Sequence, residues 1–530
     1  MKKRNPIIWA DIPDVDVIRV DDTYYMVSTT MHTMPGGVIF RSYDLVNWEI
    51  ASYVYDELED TPGQRLDDQN GIYGAGMWAA SIRYHEGEFY VVFVANDTRK
   101  TYLYRAENIE GPWRKSYIEG FYHDCSLYFE DGRAFLIFGG GDIRMVELKP
   151  DLSGPLPGGV DKVIVRDREN VGLRYEGSHF YKINGRYYLF NIHWLRTGSG
   201  RRVESCLFSD SLEGPYQTAA FEGVEGRTAD GDFHGGNILD DDMGWHNQGV
   251  AQGGIVDTPD GDWYAMLFQD HGAVGRIPVL VPMKWVDGFP VLGEDGKVPL
   301  KLDVPSTRPD YAYSPIVESD GFDYAPGEKL KKQWQWNHIP DNTLWSVTER
   351  PGWLRLRTGN VSPNFPCAKN SLTQRTVGPM CRVSVKVDAS GLRDGDYAGL
   401  GALQSGYGLI AVTRENGKLY IVSLRRDMTV LDEHGRLPRR DRAPGAEIGR
   451  VELTGSLAEF AIYFNFDDGV DEACFYYRDE RGFFRRLGDV LHMRYTLDHF
   501  MGYRAALTCF STKEPGGCAD FDDFDIKVFE

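Results

Sequence analysis

Up to about residue 300 the chain repeats one pattern: a short apolar run, a tight polar turn, then a run rich in Tyr or Phe. The copies are Val17–Tyr25, Ile82–Tyr90, Leu127–Phe135, Phe180–Tyr188 and Ile255–Tyr264. Their turns carry Asp21-Asp22, Glu86-Gly87, Asp131-Gly132, Asn184-Gly185 and Asp260-Gly261. Asn-Gly and Asp-Gly between apolar runs predict hairpins, because these residues tolerate the positive φ of a tight turn. A second motif recurs between the hairpins, at Ser42–Trp48, Glu110–Trp113, Asp151–Pro155 and Glu213–Tyr216. It reads as the end of an outer strand. Strand-only units of several dozen residues, repeated five times, predict a five-bladed β-propeller over residues 1–302. The recurrence of equivalent turns argues against one long sandwich.

Residues 303–320 carry several prolines and read as a linker. Beyond them, residues 321–530 return to strand alternation, as in Leu354-Arg355-Leu356-Arg357 and Val383-Ser384-Val385-Lys386-Val387. The acidic and aromatic alternation of Ala519–Ile526 reads as a strand with one wet face. This second region is predicted to be a β-sandwich, so the whole chain is all-β.

Composition agrees. The 30 Tyr and 59 Gly suit strands and tight turns. Most of the aromatics are needed between sheets, although a ring also suits an apolar sugar face. A net charge of −21 opposes binding to nucleic acid or to an anionic membrane, and no apolar run is long enough to span a bilayer. The seven cysteines contain no CxxC pair, which indicates neither a disulfide framework nor a zinc site. The basic start Lys2-Lys3-Arg4 is not followed by an apolar signal core, so a cytoplasmic location is expected.

The repeat also places three acids in one register. Asp14 precedes Asp22 by eight positions, Asp124 precedes Gly132 by eight, and Glu176 precedes Gly185 by nine. The matching positions in the other blades are Ala79, beside Trp78, and Gly253, beside Gln252. Equivalent positions on innermost strands ring the propeller axis, so the three carboxylates should face one cavity. Like charges in one cavity resist ionising together, and at least one pKa should rise, as a general acid requires. A calcium-binding acid cluster is the competing reading. Asp16 points to the same side of a strand as Asp14, so strand geometry alone does not separate the two.

At this point the residues resemble a known family. Asn5–Asp16 resembles the opening segment of glycoside hydrolase family 43, Trp78–Arg83 its Trp-Ala-Pro segment with Ala80 in place of Pro, His123–Leu127 its second acid motif, and Tyr175–His179 its general-acid motif. The C-terminal region resembles the concanavalin-like sandwich of the β-xylosidase and α-L-arabinofuranosidase branch. The resemblance implies an inverting, exo-acting hydrolase of hemicellulose-derived oligosaccharides, with Asp14 as general base, Glu176 as general acid and Asp124 orienting Glu176. It further implies that Arg276 hydrogen-bonds sugar hydroxyls, that Trp78 offers a ring beside the sugar, and that Phe500 reaches over the pocket from the sandwich. His32 is expected at the pocket rim. No metal ligand is assigned. The acid pair needs no cofactor, and a bound calcium is left open. Gln252 stands where many relatives carry an axial histidine, with His246 and His271 nearby. The rival function is a non-catalytic, lectin-like sugar binder, since fold does not imply function. Three acids in register weigh against it.

Overall fold

The structure, a computed structural model, describes residues 3–67, 71–166, 171–195, 199–217, 236–426 and 443–529. Among these residues there is no α-helix, and none long and apolar enough to cross a membrane. Five four-stranded antiparallel sheets follow one another along the chain. Their innermost strands are Asp16–Val20, Met77–His85, Ser126–Glu130, Val171–Ile183 and Ala251–Asp257. Each packs against the next, and the fifth returns to the first, closing a ring. The hairpins fall where the polar turns predict. Val20 pairs with Thr23, His85 with Glu88, Glu130 with Arg133 and Ile183 with Arg186. Asp21, Glu86, Asp131 and Asn184 all have φ near +50° (53°, 49°, 50° and 52°) at the first turn position. The second recurrent motif connects the third and fourth strands of a blade, as between Gly36–Ser42 and Glu49–Tyr55.

Polar side chains tie the inner strands together. Asp16 is fully buried, and its Oδ2 accepts from Ile82 N at 2.9 Å and from Arg83 Nη1 at 2.7 Å. Arg83 Nη2 donates on to Ser126 Oγ at 2.7 Å, which links the first three blades. Ile255 N donates to Tyr181 Oη at 3.0 Å, linking the last two. Between the first and last blades, Arg19 pairs with Asp257 at 2.6 Å. Asn5 also bridges this seam, donating from Nδ2 to Leu280 O and Pro299 O, each at 2.8 Å. Asp16 is therefore a brace, with Oδ2 taken up by the second blade and Oδ1 accepting from Val17 N of its own strand at 3.1 Å, and a buried ion pair of this kind is costly to break.

Residues 303–320 are irregular and pack against the first blade. Glu49 accepts from Tyr311 Oη and from Ser314 N (3.0 Å), each at close range. The sandwich begins where Asp320 exchanges backbone hydrogen bonds with Phe524. Trp334 fills the space behind it, buried between Phe322 and Phe524 and donating from Nε1 to Asp320 Oδ2 at 2.8 Å.

Two antiparallel sheets form the sandwich. One of them ends in a strand that belongs to the propeller. Thr33–Met34, from the loop after the second strand of blade one, pairs with Gln335–Asn337. The sandwich core likewise takes in Ala273, Val274 and Ile277 from blade five. Asp11 completes the junction. Its Oδ2 accepts from Gly502 N (3.0 Å) and its Oδ1 from Arg276 N (2.9 Å).

Candidate active site

Asp14 and Asp124 each lie two residues before an innermost strand, and both adopt a left-handed backbone, with φ of 53° and 47°. Asp tolerates this region better than most residues. The conformation breaks the strict in–out alternation of a strand and turns both side chains to the same mouth of the propeller. In blade four the same result comes from an irregularity of pairing. The register shifts on both sides of Glu176, and Gly177 has φ 64°. A bulge of this type re-aims a side chain. A Cβ on Gly177 would lie 2.8 Å from Gln252 Cδ, so a side chain there would displace that neighbour.

Asp14 is held at both oxygens. Arg276 Nη1 donates to Oδ1 at 2.7 Å, and Thr29 Oγ1 donates to Oδ2 at 2.9 Å. The guanidinium expected to meet sugar hydroxyls is thus engaged with the base. It also donates from Nε to Asp270 Oδ1 at 3.2 Å. Burial acts to lower the Arg276 pKa, and Asp14, Tyr495, Asp11 and Glu176 together outweigh it and raise it.

Asp124 and Glu176 meet through a residue the sequence reading left unassigned. His123 Nδ1 lies 3.5 Å from Asp124 Oδ1, and His123 Nε2 lies 3.6 Å from Glu176 Oε2. Burial raises the Asp124 carboxyl to about 7, against the lowering effect of His123 and with further upward pushes from Glu176 and Asp14. The rise falls on Asp124 and comes first from burial, with the neighbouring acids adding to it.

The shift has a consequence for stability. From an ordinary value of 3.8 up to about 7, native Asp124 binds a proton that the unfolded chain releases. Stability is therefore lost as pH climbs through that window. Asp124→Asn keeps the left-handed tolerance and carries no charge. Relative to the parent, its melting temperature should be higher at neutral pH than near pH 4, because the variant has no carboxyl to deprotonate in that window. Equal differences at the two pH values would contradict the assignment.

Aromatic side chains enclose the acids. The Trp78 ring lies 5.6 Å from His123 and 5.4 Å from Phe500. Phe500 comes from the sandwich, as expected. Its ring lies 4.6 Å from the Arg276 guanidinium. A second sandwich residue, Tyr495, places its ring 6.3 Å from Phe500, and its buried hydroxyl has no hydrogen-bond partner among the described residues. Beside Arg276 opens a cavity of about 430 Å³, lined by Arg202, Asp270, Trp245, Tyr495 and Leu497. That size suits a small ligand. Burial, with Arg276 close by, pushes Arg202 down to about 10.

His32 lies elsewhere. It is 1% exposed rather than at an open rim, packed among Tyr73, His338 and His499 where the domains meet. Burial, reinforced by His338 and His499, holds its pKa well below the usual histidine range. The loop position suggested exposure, but the adjoining strand Thr33–Met34 draws this segment into the sandwich sheet.

The group of metal-ligand-type side chains that converges among the described residues is His123, Asp124 and Glu176, with atoms within 4.8 Å of one another. Calcium takes about six to eight oxygen ligands. One imidazole and two carboxylates do not match that demand. Gln252, at the position of the family's histidine, donates its backbone N–H to Glu204 Oε2 at 2.7 Å. His271 is buried, bonded to Gln269 and stacked on Trp245, while His246 is exposed beside Asp468.

Carboxylates on three blades at one axial mouth, capped by aromatic side chains from two domains, define an acid–base glycoside hydrolase rather than a lectin. The chain belongs to glycosyl hydrolases family 43, whose family model matches residues 3–290. The model of the β-xylosidase C-terminal concanavalin A-like domain matches residues 319–527. The chain is 28% identical to a β-xylosidase of Formosa agariphila, over 98% of this chain and 89% of that protein. It is 29% identical to a non-reducing-end α-L-arabinofuranosidase of Bacteroides ovatus, over 68% of this chain and 67% of that protein. Among solved structures, a bifunctional GH43-CE protein of Bacteroides eggerthii superposes with a TM-score of 0.88 at 44% identity, covering 99% of this chain. The chain spans 64% of that protein's length.

Proposed function

We propose that the enzyme removes a terminal β-D-xylosyl or α-L-arabinofuranosyl residue from the non-reducing end of short hemicellulose-derived oligosaccharides, with inversion. The observation that carries this reading is the joint placement of Asp14, Glu176 and Phe500. Asp14, fixed at both oxygens by Arg276 and Thr29, takes a proton from the attacking water. Glu176 gives a proton to the departing oxygen. Asp124 and His123 set the orientation of Glu176. Two carboxyl groups acting from opposite sides of the sugar ring, with a water between, produce inversion. The sandwich residues Phe500 and Tyr495 wall one end of the pocket, which favours a chain terminus over a chain interior. Xylose and arabinofuranose present related hydroxyl patterns, and the named relatives include both activities. Seven free cysteines support action in a reducing compartment, on oligosaccharides already taken into the cell.

Hydrolysis of an aryl β-D-xyloside and an aryl α-L-arabinofuranoside, followed by NMR, tests the proposal. At least one should be cleaved, and the first anomer to appear should have the opposite configuration to the substrate. Reduced xylo-oligosaccharides should lose single sugars from the non-reducing end. Initial retention of configuration, or cleavage in mid-chain, would overturn it.

A further inference from the structure

We infer that His123 is a positioning residue for the general acid, holding a proton beside Glu176 and returning it between turnovers. The inference rests on the proposed role of Glu176.

The geometry comes from the backbone at Asp124. On a regular strand His123 and Asp124 would face opposite sides. The left-handed turn at Asp124 (φ 47°) allows both to face the mouth. His123 is anchored there by its own carbonyl, which accepts from Gly139 N at 3.1 Å. Its two ring nitrogens then reach two different acids, 3.5 Å to Asp124 and 3.6 Å to Glu176. Those distances are longer than a tight hydrogen bond, and side chains of this kind tighten once substrate is bound. The side chains of His123 and Glu176 are 26% and 27% exposed, that of Asp124 only 6%. His123 therefore touches both solvent and the acid.

The groups that face His123 are mostly carboxyl groups: Asp124 from its own segment, Glu176 from blade four and Asp14 from blade one. Blade two contributes the uncharged Trp78 ring. The nearby cations are engaged elsewhere, Arg276 with Asp14 and Arg202 with Asp270. Burial alone would lower the imidazole, and the surrounding carboxylates overcome it and raise it. A protonated imidazole is thus compatible with this mouth at neutral pH.

The proton count closes over one cycle. Glu176 gives its proton to the leaving oxygen as the glycosidic bond breaks, and Asp14 takes one from the water that forms the new bond. The His123 imidazolium then transfers its proton to the Glu176 carboxylate. Neutral His123 takes a proton from solvent, and Asp14 releases one to solvent.

The test compares the full-length enzyme with His123→Gln and His123→Ala on an alkyl glycoside and a dinitrophenyl glycoside, across pH, with melting curves recorded for each. We expect His123→Gln to lose about 10²-fold in kcat on the alkyl substrate, within the range for assisted proton transfer. KM should be little changed, and the alkaline limb of the pH profile should move to lower pH. Dinitrophenol leaves without protonation, so that substrate should be affected much less. Added imidazole should restore His123→Ala several-fold and leave the parent enzyme unaffected. A folded His123→Gln with the parent's kcat and alkaline limb would overturn the inference. If His123→Gln melts early, the imidazole experiment decides: restoration supports the relay, and no restoration rejects it. Failure of the underlying reading looks different, because Glu176→Gln would then keep the parent's turnover.

Discussion

Glu176→Gln is expected to slow hydrolysis of an alkyl glycoside by about 10²–10⁴-fold, the range for a general acid, while slowing a dinitrophenyl glycoside far less. The difference between substrates is the informative part. An alkoxide is a poor leaving group and needs the proton that Glu176 delivers, whereas dinitrophenolate departs without one. Gln has the size and shape of Glu, and the backbone at this point is set by the register shift and by Gly177, not by the side chain. The carbonyl of Glu176 accepts from Asn191 Nδ2 at 3.2 Å, a contact that the substitution leaves intact. Folding and sugar affinity should therefore survive, as shown by an unchanged melting temperature and by binding of xylose or arabinose in calorimetry. An equal loss on both substrates would remove Glu176 from the role of acid.

Asp14→Asn should give a loss of similar size without the substrate dependence. The base activates water in every reaction, so turnover should fall by about 10³-fold whatever the leaving group. Asn is the right replacement because position 14 has φ 53°, where Asn is tolerated and Ala is strained. The change also removes the carboxylate from a buried pair with Arg276. Asp270 still faces that guanidinium, so the cost should stay below the roughly 3–5 kcal/mol of an orphaned buried charge. Steady-state rates on the two glycosides, together with a melting curve, check both effects. Azide, a nucleophile that needs no deprotonation, should restore turnover and yield the glycosyl azide of inverted configuration. Activity above about a tenth of the parent's, or no azide product, would move the base to another residue.

Much of this was legible in the residues. Turn chemistry located the hairpins, because Asp-Gly and Asn-Gly carry their backbone preference with them wherever they occur. Counting back from those turns found Asp14, Asp124 and Glu176. Where the reading stopped short, the reason is a backbone state that sequence spacing does not encode. Alternation left Asp16 and Asp14 unresolved, and positive φ at Asp14 separates them: Asp14 faces the mouth, while Asp16 braces Ile82 and Arg83. The same feature at Asp124 brings in His123, which strict alternation would send to the other face. Arg276 was found as a pocket residue, but its partner is 262 residues away at Asp14, a pairing only the closed ring reveals. His32 was misplaced because the two-residue strand beside it is too short to leave a hydrophobic pattern.

That short strand bears on how the enzyme can be recombined with its relatives. A chimera cut at residues 303–320 would leave Gln335–Asn337 facing a foreign edge in place of Thr33–Met34. It would also part Asp11 from Gly502 and Ala273 from Asp471. The unit of exchange is therefore not the sandwich alone. It is the sandwich together with the segments around Asp11, Thr33 and Ala273 that it grips, so the two domains are expected to have diverged as a matched pair.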